Sequence, residues 1–252
     1  MQIQKIDVYL HHKNVLTMNY KFLTDHPYFN EKFLSIGFKR QNRCKYIRKC
    51  GDAVDSLQFG RAHYGEHYVS YYFFTVFIDF KDVKKMCQDM GVLIGGFGIP
   101  IYILCNEKYY KDWRVANEDS EKYVKKVIDD MADVVKRYAI PFLDKYPTIQ
   151  DVIKGIEEKK INRYLDERRL TPILYLLNGE KARAIDYVNE TLQRMQEEKI
   201  KLLNDYEMGK CEEPLFKDLD VYIAYADKFK KYTSQGTPCD VAACNRGTVL
   251  SL

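Results

Sequence analysis

Between Tyr68 and Phe80 the chain reads Tyr-Val-Ser-Tyr-Tyr-Phe-Phe-Thr-Val-Phe-Ile-Asp-Phe. Aromatic and branched residues at this density favour an extended strand. They fall on both of the faces that a strand's two-residue period defines. A strand with large apolar side chains on each face belongs in the middle of a sheet, covered on both sides. The rest of the fold is therefore expected to assemble around this segment. Upstream, Val54–Arg61 places Leu57 and Phe59 on one face and Ser56, Gln58 and Gly60 on the other. Before that, Arg43–Cys50 alternates basic and apolar residues and ends at a Gly51-Asp52 turn. Three sequential strands with short connections predict an antiparallel meander.

The flanking segments carry a helical period. Pro27 suits a first helical position, Phe29, Phe33 and Leu34 make an apolar face, and Gly37 supplies a stop. A charged helix is expected at 81–90, then a loop over Gly91–Pro100 and a further strand at Ile101–Cys105. Ser120–Tyr138 shows three- and four-residue apolar spacing and should end before Pro141. Thr148 caps another helix, and Thr171-Pro172 opens a short helix before a long one at about 180–203. A last helix is expected at about 216–232.

The fold class that follows is α+β. An N-terminal antiparallel sheet of three to five strands is flanked by helices and followed by a mainly α-helical region. The division reads as 1–159 for the α+β part, 160–232 for helices packed on it, and 233–252 for a tail without periodicity, expected to be poorly ordered. Residues 1–23 show no clean period.

Composition narrows the class of protein. With 252 residues, 46% hydrophobic and 30% charged, the chain matches an ordinary globular protein rather than a disordered or collagen-like one. The seven cysteines form no C-x-x-C pair, so reduced thiols are a better reading than a disulfide framework or a zinc ribbon. No early apolar run resembles a secretory signal, and no stretch reaches the ~20 apolar residues of a spanning helix. A cytoplasmic protein with no membrane role is expected, and nothing in the motifs asks for a cofactor. Residues 1–115 hold 17 basic against 11 acidic side chains, a mild excess below that of a dedicated nucleic-acid binder.

Two clusters are candidate sites. Lys39, Arg40, Arg43, Lys45, Arg48 and Lys49 lie close together with Tyr46 among them and no carboxylate between. Such a run suits an anionic partner, whether phosphates or an acidic protein. It equally suits a solvated outer strand whose charges oppose edge-to-edge aggregation. Arg61, His63, Glu66 and His67 gather a guanidinium, two imidazoles and a carboxylate within seven residues. They could line a polar pocket, ligate a metal or transfer protons, or form the polar tip of a hairpin bent at Gly65. The glycines of Gly91–Gly98 leave a helix rather than enter one, the wrong order for a phosphate loop. No recognised catalytic motif occurs.

Phe33-Leu34-Ser35-Ile36-Gly37-Phe38-Lys39-Arg40 is followed by the basic strand and then by Gln58-Phe59-Gly60-Arg61 at a strand end. Together with Tyr138–Leu143 between two helices, this order resembles a bacterial family catalogued as domain of unknown function 4304. The resemblance covers about residues 20–160. It implies an α+β fold with an antiparallel sheet, and an association with defence and toxin-immunity neighbourhoods, but supplies no activity and no catalytic residues. The leading expectation is a non-enzymatic protein-interaction module, with immunity type as what the resemblance implies. The alternatives are RNA or single-strand binding through 39–49, and a small enzyme or metal site around 61–67.

Overall fold

A computed structural model of the chain describes residues 22–62, 69–92, 97–105, 112–116, 118–161, 167–209 and 216–235. These form a six-stranded, wholly antiparallel sheet and a set of helices. The strands are β1 (Lys39–Arg40), β2 (Lys45–Cys50), β3 (Ala53–Ala62), β4 (Val69–Phe80), β5 (Phe97–Pro100) and β6 (Trp113–Ala116). β4 is central as expected. It pairs along its length with β3, and its other edge is shared by β6 near Val69–Tyr72 and β5 near Thr75–Ile78.

The sheet's inner face carries Tyr46, Leu57, Phe59, Tyr72, Phe74, Val76 and Ile78, all buried. Helix α1 (Pro27–Ser35) lays Phe29 and Phe33 on it. Both rings meet Phe59 edge-on at 5.1 and 5.3 Å, and Phe74 continues the cluster to Trp113 at 5.5 Å. Burying each such ring contributes roughly 2–3 kcal/mol, with a further ~0.5–1.5 for a well-placed aromatic pair. Leu34, assigned to the same face by spacing, instead points to solvent at 63% exposure. Gly37 ends the helix at φ 89°, a conformation that only glycine adopts without penalty.

The opposite face of β4 departs from the expectation of full cover. Tyr71, Phe73, Thr75 and Phe77 are only half-buried there. The Phe73 ring lies over Gly60 and the Phe77 ring over Gly98, where an added Cβ would come within 2.3 and 2.4 Å of ring carbons. Glycine on the neighbouring strand is thus what lets each ring lie down on the sheet.

Helix α2 (Lys81–Met90) follows β4 directly, as the sequence predicts. The expected loop at 91–100 contains β5, and Ile101–Leu104 forms a helical turn, α3, rather than a strand. A short apolar run has no period to separate the two states, and β6 carried too few residues to be seen at all.

Two prolines expected to bound helices do not. Helix α4 (Glu121–Val134) passes through a π turn at Val135–Ala139 into α5 (Ile140–Leu143), with Pro141 inside it. The Ile140 N–H reaches back five residues to the Val135 carbonyl. That wider turn accommodates a proline that lacks an N–H and whose ring would press on the carbonyl four residues back. Helix α6 (Ile149–Glu157) begins with a full capping box between Thr148 and Asp151.

Helix α7 (Glu167–Leu177) contains Pro172 in its interior rather than at its start. Proline leaves the Arg168 carbonyl without its intrahelical donor. The Tyr222 hydroxyl donates to that carbonyl at 3.4 Å, and the Tyr225 hydroxyl to Arg169 O at 2.7 Å. Both tyrosines come from α9 (Lys217–Ser234), which runs two residues beyond the expected end. Helix α8 (Lys181–Glu207) also outruns its expected boundary.

One hydrophobic cluster takes in the sheet and the C-terminal helices from Leu23 to Phe229. Cys44, Cys50 and Cys87 are free thiols, and burial pushes the Cys87 pKa up to about 11. No described helix is long and apolar enough to cross a membrane. Most of the extension 1–23 and of the tail 233–252 lies outside the described residues.

Gly155 within α6 tests how tightly this core is filled. An alanine there gains ~1 kcal/mol in helix propensity, yet its Cβ would sit 2.5 Å from Tyr146 Cε1 and 2.8 Å from Ile161 Cδ1. Both neighbours are buried, and overpacking costs about 1–3 kcal/mol. Gly155→Ala is expected to lower stability by about 1 kcal/mol in urea denaturation; a gain would mean that Tyr146 and Ile161 repack.

Candidate functional site

Strand pairing divides the basic run between the two faces of the sheet. Arg40 stands opposite Tyr46 and Arg48 opposite Asp55, which places all three of Arg40, Tyr46 and Arg48 on the inner side. Lys39, Lys45 and Lys49 alternate with them and share the outer side.

The inner set is occupied by the protein itself. Tyr46 is fully buried between Phe29, Phe33 and Phe59, and its hydroxyl donates to Asn30 Oδ1. Burial pushes its pKa up to about 12. It is a core residue and cannot stack on a partner. Arg48 donates from Nε and Nη2 to Asp55 Oδ2 at 3.0 and 2.7 Å, and from Nη2 to Asp144 Oδ1 at 2.7 Å. Its guanidinium also lies 5.5 Å from the Phe38 ring. Arg40 and Arg43 pair with Asp25 at 2.8 and 3.2 Å. On the outer side Lys45 pairs with Asp79 at 3.2 Å, a carboxylate that Lys84 of α2 also holds at 2.9 Å. Lys39 and Lys49 are exposed and have no ion pair among the described residues.

Asp55 is the least ordinary group in this network. Its side chain is fully buried, and burial raises its pKa more than the facing Arg48 lowers it. Among the described residues, Asp55 Oδ1 and the neighbouring Ser56 Oγ have no hydrogen-bond partner. The geometry is that of a structural clamp, tying β2 and β3 to the segment after α5.

The second predicted cluster is only partly visible. Arg61 lies at the end of β3 with its guanidinium 5.1 Å from the Phe22 ring. His63, Glu66 and His67 lie outside the described residues. Among the described residues, no three His, Cys, Asp or Glu side chains converge as metal ligands would.

Two features escaped the sequence reading. The first is a cleft of about 860 Å³ between α1 and the start of α4, lined by Tyr28, Tyr123, Lys122, Lys125, Lys126 and Asp129, among others. The Tyr28 hydroxyl donates to Asp129 Oδ1 at 2.7 Å, and Lys32 pairs with the same carboxylate at 2.5 Å. Its bond to Asp129 raises the Tyr28 pKa, the opposite of what an activated hydroxyl needs. These groups satisfy one another and join two helices.

The second is the distal end of α8. Met195 is its last buried residue, yet Ile200, Leu203, Tyr206 and the adjoining Met208 are 60%, 37%, 44% and 58% exposed. Phe216, just before α9, lies 5.0 Å from the Lys199 ammonium. α9 therefore begins beside the turn at Lys199, and α8 runs on past it. The sequence does carry a signal, since Ile200, Leu203 and Tyr206 recur at three-residue spacing. What it lacks is any sign that no neighbour covers them. Large apolar side chains clustered on a surface mark interaction sites.

Comparison with protein-family models, curated proteins and solved structures finds no match for this chain.

Asp55 provides a test of the clamp. Asp55→Ala strands a mostly buried guanidinium and is expected to cost about 3–5 kcal/mol, whereas Asp144→Ala, at a half-exposed site, should cost under ~1 kcal/mol. Asp55→Asn keeps an acceptor for Arg48 but cannot ionise. Because the folded pKa of Asp55 is raised, its contribution to stability is complete below the ordinary carboxylate range and is lost as pH rises through the raised value. The stability of Asp55→Asn relative to the wild type should therefore improve from pH ~3 to pH ~7 in urea titrations. The opposite trend would mean that the ion pair outweighs burial.

Proposed function

We propose that this chain is a non-enzymatic protein-interaction module that engages a protein partner through the distal end of α8. The observation that carries the reading is the exposure of Ile200, Leu203 and Tyr206 on a helix end that no described element covers. Desolvating such a strip contributes roughly 25 cal/mol per Å² of apolar surface removed from water. The basic run is a poorer anchor for a partner, because Arg40, Arg43, Lys45 and Arg48 are already committed to carboxylates.

A tagged chain expressed in its native cell is expected to recover a protein partner at a fixed ratio. The double variant Ile200→Glu/Leu203→Glu is expected to lose that partner while melting at the wild-type temperature, since both residues are exposed. Absence of any stoichiometric partner in a chain that also fails to associate with itself, or a partner retained by the double variant, rules the reading out.

One observation favours a second reading, single-stranded nucleic acid held on the outer face of the sheet. Lys39, Lys45 and Lys49 share that face with the half-buried Tyr71, Phe73 and Phe77. Lysines beside aromatic rings on one sheet face suit phosphates and bases. Asp79 on the same face works against it. This reading expects a labelled single-stranded oligonucleotide to bind at low salt and to weaken steeply with added salt. Lys39→Ala/Lys49→Ala should flatten that slope by about two, and no binding at low salt eliminates it.

A further inference from the structure

Past Met195 the apolar period of α8 continues without a core to serve. Gln196, Lys199, Ile200, Leu203, Tyr206 and Glu207 recur at three- and four-residue steps and so share one face of the helix. A strip of this kind is covered most simply by a second helix laid along it. The charges at its ends select which helix.

Lys199 stands four residues before Leu203 and Glu207 four after it, while Ile200 stands three before and Tyr206 three after. A second α8 laid antiparallel, with a two-fold axis at Leu203, sets Leu203 against Leu203. It also sets Ile200 against Tyr206 and Lys199 against Glu207, each pair occurring twice. A parallel arrangement in register would instead bring Lys199 to Lys199 and Glu207 to Glu207, which repel. Among the described residues neither Lys199 nor Glu207 has an ion-pair partner within its own chain. Lys199 rests beside the Phe216 ring, a contact that leaves its charge unneutralised.

We propose that two copies of this chain associate through the distal ends of α8, antiparallel about Leu203, with Lys199 of each copy paired to Glu207 of the other. This rests on the interaction reading above and names the occupant of that surface. From Gln196 to Glu207 the overlap is about 18 Å long, so the two bodies lie at opposite ends of it. Three apolar side chains from each copy bury much less than the ~800 Å² per partner of a stable complex. The dimer is accordingly weak and dependent on concentration.

Sedimentation of the full chain over a concentration series reads this out. The average mass is expected to rise from one chain toward two, with half-association on the order of 100 µM. Leu203→Glu, which sets two carboxylates on the axis, should hold the mass at one chain throughout. Lys199→Glu and Glu207→Lys should each weaken association roughly tenfold. The double reversal Lys199→Glu/Glu207→Lys should restore it, because every pair re-forms with its polarity exchanged. All four variants alter side chains at the helix end, and unchanged melting curves establish that they fold. A single-chain mass at on the order of 1 mM overturns the proposal. So does a dimer indifferent to Leu203→Glu, or a double reversal as weak as the single ones. A different protein bound through Leu203 by a chain that stays monomeric upholds the interaction reading and overturns this one.

Discussion

A strand sends successive side chains to opposite sides of its sheet, and two strands of this chain make that constraint decisive. On β4, Tyr72, Phe74, Val76 and Ile78 go inward while Tyr71, Phe73, Thr75 and Phe77 go outward. On β2 the same rule sends Tyr46 and Arg48 in and Lys45 and Lys49 out. A shift of one residue in β2 would bury lysines and expose Tyr46, and one in β4 would exchange its inner and outer rings. The aromatic cluster around Phe59 and the buried Arg48–Asp55 pair hold the register from the same side. One supplies apolar burial, and the other admits only one alignment of a guanidinium with its carboxylate.

These two devices differ in what they contribute. Ring burial stabilises outright, at a few kcal/mol for each side chain. The Arg48–Asp55 pair stabilises little in net terms, because desolvating both charges offsets most of their attraction. The raised pKa of Asp55 and its unpartnered oxygen fit a pair held for alignment rather than for energy.

Elements whose period and burial coincide were legible in the residues, notably β3, β4, α2 and α6. Local rules were overridden where a distant partner repaired a local defect. Pro141 and Pro172 both read as helix boundaries, and neither is one, because a π turn in one case and two tyrosine hydroxyls in the other supply what proline removes. The basic run misled for a related reason. Its counter-charges Asp25, Asp79 and Asp144 lie 15, 34 and 96 residues away from Arg40, Lys45 and Arg48. Spacing within the run shows positive charge and nothing of its neutralisation. The α8 face is the converse case, since its period is plain in the residues but its exposure is set by where α9 turns back.

The bond between Tyr222 and the Arg168 carbonyl has a consequence for the order in which the molecule can be completed. α7 is synthesised some fifty residues before the hydroxyl that quiets its interrupted backbone. Until α9 leaves the ribosome that carbonyl has only water to meet, and the surface that will later be sealed stays wet. The helices from α7 onward thus close as a group only once α9 has emerged, with that helix acting as the bolt.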